Sequence, residues 1–318
     1  MNGLAGAHPD RPWLYYYRPH RFLRSFRLDI PRNAHRRMLL ESAGARQAAL
    51  FHGLNQRLPR RRFRKQVATF HDLFVLTGNY STDEFRRRFA DQARRAADDA
   101  DRIIAVSEFT ARQVETLLNV DRARIRVVPH GVRALPFHPA ARKKIILSVG
   151  AIQARKNTAR LVEAFESVPK DWTLVLAGSY GFGSEAILRR IEESPRRSQI
   201  RITGYVTTSE LAQWYSQAAI FAFPSLDEGF GMPVLEAMAA GIPVVSSNRS
   251  ALPEVCGNAA LLVAPENTEE IAECLRRLIQ DEELRNALIA RGIARAAEFT
   301  WPQAAAATWS VYSELGWF

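Results

Sequence analysis

Short apolar runs separated by amphipathic segments fill the second half of the chain. Runs of four to seven residues, bounded by turn residues and followed by segments with helical spacing, occur at Lys144–Gly150, Trp172–Ala177, Ile200–Thr203, Ile220–Phe223, Pro243–Ser246 and Ala260–Val263. Runs of this kind predict buried parallel strands joined by helices, the pattern of a doubly wound α/β sheet. Ligands of such sheets bind at the carboxyl ends of the strands.

The first half shows the same alternation with less regularity. Its predicted elements are a polar helix over 83–100 and strands at Ala48–Phe51, Val67–Phe70, Ile103–Val106 and Ile125–Val128, and Trp13–Tyr17 is a further candidate strand. Prolines and basic residues cluster near 135–142, which is typical of a domain boundary. A chain of 318 residues is long enough for two domains with separate cores. We therefore predict an N-terminal domain at 1–138, a second domain at 139–300 and a C-terminal helix within 301–318.

The run from Glu228 to Glu236 carries the most specific chemistry, because it places two carboxylates around a glycine-rich turn. Pro233 suits the first turn of a helix and Gly241 suits the position after its end, so we predict a helix over 232–240. Backbone N–H groups at the start of such a helix attract phosphate and sugar oxygens. The two glutamates would then accept hydrogen bonds from separate hydroxyl groups, as on the hexose and the ribose of a nucleotide sugar.

Two further positions at strand ends carry candidate chemistry. Arg155 and Lys156 follow the strand that ends at Gly150 and precede a predicted helix. The pair suits a diphosphate, since Arg can bind two oxygens and Lys adds a compact charge, although a surface pair that caps the helix is the alternative. His71 follows a first-half strand and is expected to lie over the cleft, whereas we interpret His52, also at a strand end, as structural.

Charge is concentrated in the first half of the chain. Residues 1–140 hold 26 Lys and Arg against 13 Asp and Glu, whereas the remainder holds 18 against 20. The densest basic clusters are Arg60–Lys65 and Arg86–Arg88. A basic half indicates an anionic partner such as an acidic membrane surface or a lipid-phosphate acceptor, or simply a solvated face. Nucleic acid is disfavoured because no recognition motif accompanies the charge.

The sequence contains neither a membrane-spanning apolar stretch nor the apolar core of a signal peptide. Its two cysteines, Cys256 and Cys274, lack metal-ligand spacing, and we expect both to be reduced and buried. These features favour a cytoplasmic protein, with peripheral contact to the inner face of the plasma membrane as an option left by the basic half.

Together with its neighbours, the glutamate run resembles the Glu-x7-Glu signature of retaining glycosyltransferases with the GT-B fold, in particular glycosyltransferase family 4. The neighbours that carry the resemblance are Phe223–Ser225 before the run and Ala237–Ser246 after it. The resemblance is dense from about residue 48 onward. It implies two Rossmann-like doubly wound domains that face a cleft, with the C-terminal helix crossing back onto the first domain.

The resemblance also implies roles for single residues. Glu228, with the backbone amides of Phe230 and Gly231, would hold the transferred sugar, and Glu236 would hold the ribose. The Arg-Lys-Asn run at 155–157 would hold the diphosphate, and His71 would contact the donor sugar. Further residues are expected to line the donor pocket, with Tyr205 and Val206 near the base and Gly150, Ser225 and Met232 elsewhere. Ser107 and the segment His130–Val132 match family sequences as loop and hinge elements near the cleft.

We interpret no acidic triplet as a metal-binding motif of the Asp-x-Asp type, although Asp99-Ala100-Asp101 has that spacing. The resemblance therefore implies a metal-independent reaction in which Arg155, Lys156 and a helix dipole stabilise the leaving diphosphate. No cofactor is expected besides the donor substrate, a GDP- or UDP-linked hexose of the mannose or glucose type. The expected acceptor is a glycan or lipid-linked intermediate in cell-surface polysaccharide biosynthesis.

Two departures from the family pattern leave alternatives open. Gln153 stands where many members have Glu, and the first ~45 residues lack the usual opening strand and glycine-rich loop, so the N-terminal domain is predicted to be shortened. One alternative is therefore a donor-binding but catalytically deficient subunit of a glycosyltransferase complex. Another is an anionic membrane- or polymer-binding protein with a vestigial cleft.

Overall fold

All strands of the described chain lie in parallel sheets. The computed structural model describes residues 2–17, 21, 23, 25–38, 48–133 and 141–316, and the predicted boundary at 138/139 lies outside them. Every strand pair is parallel and helices connect most of the strands, so the α/β prediction is confirmed. We call residues 2–133 the N-terminal half and residues 141–300 the C-terminal half.

The N-terminal half contains two separate sheets. Its elements are α1 (Asn2–Ala7), β1 (Trp13–Tyr17), β2 (Ala34–Met38), β3 (Leu50–Gly53), β4 (Lys65–Phe70), α2 (Phe74–Thr77), α3 (Asp83–Asp99), β5 (Arg102–Ala105), α4 (Glu108–Leu118) and β6 (Ile125–Val127). Strands β1 and β2 pair with each other, and β3, β4, β5 and β6 form a four-stranded sheet in that order. The sequence reading missed β2, because Ala-His-Arg-Arg-Met has no apolar run and only its first residue is buried.

The C-terminal half is built on one six-stranded sheet in the order β12-β11-β10-β7-β8-β9. Its elements are β7 (Lys143–Val149), α5 (Thr158–Phe165), β8 (Thr173–Ala177), α6 (Ser184–Glu192), β9 (Ile200–Gly204), α7 (Thr208–Gln217), β10 (Ala218–Phe223), α8 (Met232–Ala239), β11 (Val244–Ser247), α9 (Leu252–Cys256), β12 (Leu261–Val263), α10 (Thr268–Gln280) and α11 (Glu282–Ala297). All six strands predicted there are present. Apolar clusters cover both faces of the sheet, which explains why its strands read as continuous apolar runs.

The last helix, α12 (Trp301–Ser313), packs against the N-terminal half. Its Val311 and Tyr312 share an apolar cluster with Val67 of β4 and Ile104 of β5. The joint is tight, because a Cβ at Gly131 would overlap the backbone of Trp301. The helix therefore ties the end of the chain to the N-terminal sheet.

The predicted helix after the glycine-rich turn is confirmed as α8, with Pro233 in its first turn. Gly231 caps it with a φ of +118°, and Gly241 follows its end with a φ of +67°. Both conformations favour glycine, which is why this turn and this helix end could be read from the sequence. The two cysteines are buried and unpaired, as expected.

Candidate functional site

The strand order brings two distant loops of the C-terminal half together. Strands β7 and β10 are neighbours in the sheet, yet the chain leaves them toward opposite sides, β8 lying beyond β7 and β11 beyond β10. Such a point of reversal opens a crevice at the carboxyl ends of the strands. The loop after β7 carries Arg155 and Lys156 in a short 3-10 helix, Ala154–Lys156, and the loop after β10 carries Glu228. The two predicted clusters therefore meet in one crevice.

Glu228 is held there by both cations. Its Oε1 lies 2.6 Å from Nζ of Lys156 and 3.0 Å from Nη1 of Arg155. The glutamate and the arginine are buried, and only 15% of the lysine side chain is exposed. Burial acts to raise the pKa of Glu228, but Lys156 and Arg155 outweigh it and hold that pKa below its usual value. Glu228 is therefore a carboxylate at neutral pH.

Neighbouring groups restrict the position of the Lys156 side chain. Its Nζ lies 4.6 Å from the ring centroid of Phe223 at the end of β10. A Cβ on Gly150 would lie 3.1 Å from Cε of the lysine, and Gly150 has a φ of +144°, so glycine is favoured there. Burial lowers the pKa of Lys156, and the charge of Glu228 opposes that shift.

Arg155 reaches across to the N-terminal half. Its guanidinium lies 4.2 Å from the ring centroid of Phe74, at the start of α2, and it donates a hydrogen bond to the carbonyl oxygen of Asp227. Among the described residues, Nε of Arg155 and Oδ1 of Asp227 are buried without a hydrogen-bond partner. Buried polar atoms are seldom left so, and a polar ligand in this crevice could satisfy them.

The second glutamate of the motif lies one turn into α8. Glu236 accepts a hydrogen bond from the hydroxyl of Tyr215, at 3.1 Å, and its other oxygen lies 3.4 Å from Nη2 of Arg133. Burial raises the pKa of Glu236, and the Arg133 charge and the Tyr215 hydrogen bond only partly offset it. Glu236 does not contact Glu228, so the two carboxylates can hold separate parts of one ligand.

Gly229 is one of the points at which the two halves touch. A Cβ on Gly229 would overlap the carbonyl oxygen of His71 and lie 2.8 Å from Cβ of Asp72. Its own carbonyl oxygen accepts hydrogen bonds from Ser107 Oγ, at 2.7 Å, and from Thr110 Oγ1, at 3.1 Å. The cleft is therefore closed in this structure, with Glu228 next to the contact.

A further contact between the halves was not predicted from the sequence. The carboxylate of Glu254, in α9, accepts hydrogen bonds from the backbone N–H groups of Glu108 and Phe109, at 2.8 and 3.2 Å. These N–H groups open α4 and have no partner within their own helix. Ser250, just before α9, accepts a hydrogen bond from the N–H of Glu228. Because one side of this contact consists of backbone groups, no sequence motif reveals it.

His71 and His130 form a pair beside this junction. Nδ1 of His71 lies 3.1 Å from Nε2 of His130, and its Nε2 donates to the carbonyl oxygen of Leu54 at 2.7 Å. The His130 ring also packs edge-on against Phe230, whose side chain is buried. Burial, with a smaller contribution from the His71 charge, lowers the pKa of His130 to about 4. Both ring nitrogens of His71 are thus engaged, and its carbonyl group faces the cleft.

His52 has the structural environment expected of it. Its Nδ1 lies 2.5 Å from the hydroxyl of Tyr312, and its Nε2 lies 2.7 Å from Oγ1 of Thr69. Burial is the main cause that lowers its pKa to about 3, so the ring is neutral. It also lines a cavity of about 1090 Å³ between β1 and β3, together with Tyr15, Tyr16 and other residues of those strands.

The other predicted donor-site residues lie around the crevice. Ser225 is fully buried after β10, and its hydroxyl has no hydrogen-bond partner among the described residues. Met232 begins α8 and is partly buried. Tyr205 follows β9 with 83% of its surface exposed, whereas Val206 packs on the core.

Within the described residues, no group of three or more His, Cys, Asp or Glu side chains could hold a metal ion. None of the helices in the described ranges is both long and apolar enough to cross a membrane.

Comparisons with known proteins place both halves among glycosyltransferases. The model described as glycosyl transferases group 1 matches residues 136–295, and that of glycosyltransferase family 4 matches residues 3–134. O-antigen chain mannosyltransferase B from Escherichia coli is 31% identical over 84% of this chain and 74% of its own length. The serotype-specific mannosyltransferase WbdA from Escherichia coli is also 31% identical, over 76% of this chain but only 32% of its own length.

Solved structures give the same fold at lower identity. HepE from Anabaena, in complex with UDP, matches with a TM-score of 0.76 and 17% identity over 99% of this chain and 94% of that one. The lipopolysaccharide-biosynthesis glycosyltransferase WaaG matches with a TM-score of 0.72 and 16% identity over 96% and 93%. Sucrose-phosphate synthase from Thermosynechococcus elongatus matches with a TM-score of 0.73 and 23% identity over 84% and 73%.

Proposed function

Because the chain belongs to the glycosyl transferases group 1 family and has the GT-B fold, we propose that it transfers a hexose from a nucleoside diphosphate sugar with retention. The two halves are then the domains 1–138 and 139–300, and the cleft between them is the active site. The single observation that carries the proposal is the buried Glu228–Lys156–Arg155 cluster at the reversal of the C-terminal sheet.

In this proposal the cations serve the leaving group. Lys156 and Arg155 supply two fixed positive charges in a site with little water, where they stabilise the negative charge that develops on the diphosphate without a metal ion. Glu228, a carboxylate, accepts hydrogen bonds from the transferred sugar while the adjacent amides of Phe230 and Gly231 donate to it. The acceptor oxygen attacks from the face that the diphosphate leaves, through an oxocarbenium-like state.

The rest of the donor lies along α8. Glu236 accepts hydrogen bonds from the ribose hydroxyls, since Tyr215 and Arg133 already fix its carboxylate. The base lies near Tyr205 and Val206 at the end of β9. His71, whose ring is fixed by His130 and Leu54, faces the donor sugar from the N-terminal domain.

The relatives favour mannose as the transferred sugar, since the two Escherichia coli proteins described above are mannosyltransferases. A GDP- or UDP-linked donor fits both the family and the neighbour that binds UDP. The acceptor is a glycan or lipid-linked intermediate of cell-surface polysaccharide biosynthesis, met in the cytoplasm or at the inner membrane face.

The test is donor binding and turnover across a panel of nucleoside diphosphate sugars, with membrane extract as the acceptor. One donor should bind and turn over in the wild type. Glu228→Ala and Lys156→Ala should each reduce turnover by at least about 100-fold, as for lost electrostatic stabilisation, whereas the exposed-site variant Lys144→Ala should not. Absence of binding by every donor would contradict the proposal.

A donor-binding subunit without its own activity is the second candidate, and one observation favours it. The N-terminal half is split, since a cavity of about 1090 Å³ separates β1 from β3 and leaves two sheets in place of one. The C-terminal half, which would hold the donor, has no such gap. A donor that binds tightly but is never turned over, even with extract, would select this candidate.

A further inference from the structure

Four arginines from two separate elements line a small cavity on the N-terminal half. Arg57 and Arg60 belong to the loop after β3, and Arg88 and Arg95 belong to α3. The cavity has a volume of about 320 Å³, and Asp91 is the only carboxylate among its described lining residues. Among the described residues, four arginines and one carboxylate therefore line a space about the size of a small polar ligand.

The spacing of Arg88 and Arg95 along α3 explains why both side chains line the cavity. Residues seven apart lie on one face of a helix, so Arg88 and Arg95 point the same way, while Arg87 and Arg94 do not line the cavity. Within the described ranges, the side chains of Arg88 and Arg95 make no hydrogen bond or ion pair. Arginines brought together in this way repel one another, and an anion between them removes that cost. The planar guanidinium binds two oxygens of a phosphate at once.

The arginine cavity adjoins the larger cavity between β1 and β3. Arg57 and Leu58 line both cavities, and Leu54 lines the larger one. The carbonyl group of Leu54 holds His71, which faces the cleft. Leu54 and Arg57 are three positions apart in the chain, a distance of at most about 11 Å between their Cα atoms. A single molecule could therefore reach from the cleft to the arginines through a space lined by Tyr15 and Tyr16.

We propose that the arginine cavity binds a phosphate or diphosphate group carried by the acceptor, an assignment that rests on the proposed glycosyl transfer. The phosphate anchors the acceptor at Arg88 and Arg95. The sugar lies in the larger cavity, and its reactive hydroxyl group reaches the cleft beside His71. The acceptor is then a phosphate-bearing glycan, either lipid-linked or soluble.

A binding experiment tests the site without requiring turnover. Inorganic pyrophosphate is titrated calorimetrically into protein carrying Lys156→Ala, which weakens the donor-side diphosphate site. Adding Arg88→Gln and Arg95→Gln to this background should weaken pyrophosphate binding at least 10-fold. The matched double variant Arg87→Gln/Arg94→Gln removes the same charge from the same helix and should bind as the background does. Equal weakening by both pairs would overturn the proposal, as would no binding in the background.

A kinetic experiment ties the site to the acceptor. The assay uses a donor that the enzyme turns over. The double variant Arg88→Gln/Arg95→Gln should raise the KM for the extracted acceptor about 10-fold, and its rate of donor hydrolysis should be unchanged. Two treatments of the acceptor distinguish a lipid-linked glycan from a soluble phosphoglycan. One is release of the lipid by acid, and the other is phosphatase treatment of the released glycan. Loss of affinity only on phosphatase treatment indicates a soluble phosphoglycan, and loss on lipid release indicates a lipid-linked one. An unchanged KM for the extracted acceptor would exclude the acceptor role, even where pyrophosphate binds and the enzyme is active.

Discussion

At the scale of single residues, the closed cleft depends on Gly229 having no side chain. A Cβ at this position would overlap the carbonyl oxygen of His71, and the loop cannot retreat because Ser107 and Thr110 hold its carbonyl group. We expect Gly229→Ala to reduce turnover at least about 100-fold, since misplacement by about 1 Å has such an effect. Gly6→Ala, where a Cβ meets nothing within 4 Å, is the control for donor turnover assays. Activity near that of the wild type would show that closure is not needed.

The buried charges of the crevice stabilise one another. Removing one charge should therefore destabilise the protein more than removing a pair of opposite charges together. Lys156→Met leaves Glu228 with Arg155 alone, and Glu228→Gln leaves both cations without their carboxylate. Each change breaks a buried ion pair, which costs on the order of 3 kcal/mol in the free energy of unfolding. The double variant should recover much of that loss while remaining inactive. Urea denaturation measures the cycle, and the exposed pair Lys144 and Asp171 gives the reference, with a coupling below about 1 kcal/mol. Strictly additive losses would contradict a direct interaction.

Stability should fall on acidification because His130 is held neutral. The unfolded chain binds a proton on this histidine below pH 6.5, whereas the folded chain does so only near pH 4. The stabilisation is therefore complete above pH 6.5 and is lost as the pH falls toward 4, by about 3 kcal/mol for a shift of this size. Unfolding free energies at pH 7.5 and 4.5 should differ less in His130→Gln than in the wild type. The exposed His35→Gln should keep the wild-type difference, and an unchanged difference in His130→Gln would refute the assignment.

At the scale of elements, helix α4 is capped from the opposite half of the molecule. Glu254→Ala removes the acceptor of the Glu108 and Phe109 N–H groups and should lower stability by about 1 kcal/mol. Because α9 also fixes the backbone of Glu228 through Ser250, we expect turnover to fall about 10-fold. Amide exchange in the peptide 107–112 should accelerate, while Glu192→Ala, from an exposed pair, should change neither property. Faster amide exchange with unchanged turnover would show that the cap stabilises the helix but does not contribute to activity.

The elements also show what a sequence can and cannot predict. Strands of the C-terminal half are buried on both faces, so apolar runs revealed all six, and Glu228 was found because its glycine-rich turn has a recognisable pattern. Strand β2 was missed because it is short, polar and paired on one side. Glu254 and the arginine cavity were missed because both depend on which helices become neighbours, and local patterns carry no such information.

At the scale of the whole molecule, donor entry requires the two halves to separate, because direct contacts close the cleft. Thr77 Oγ1 donates a hydrogen bond to Asp227 Oδ2 across it, at 2.8 Å. Cysteines at both positions, Thr77→Cys and Asp227→Cys, should form a disulfide that locks the closed form. The native Cys256 and Cys274 are buried and should not interfere.

The locked protein should lose at least about 90% of its turnover and regain it on reduction, since a closed cleft excludes the donor. Each single cysteine variant under the same oxidising conditions is the control. Full activity of the oxidised double variant would mean that the donor enters without opening.

The split N-terminal sheet has a consequence for pairing with other polypeptides. Within the described residues, β1 and β3 form ladders only with β2 and β4, so no described strand pairs with the edges that border the 1090 Å³ cavity. Trp13 and Leu50 share one apolar cluster while Tyr16 and Phe51 touch on the other side, so both edges belong to the same layer. Unpaired edges are templates for an added strand. One extended segment in this gap would join the two sheets into a single seven-stranded one.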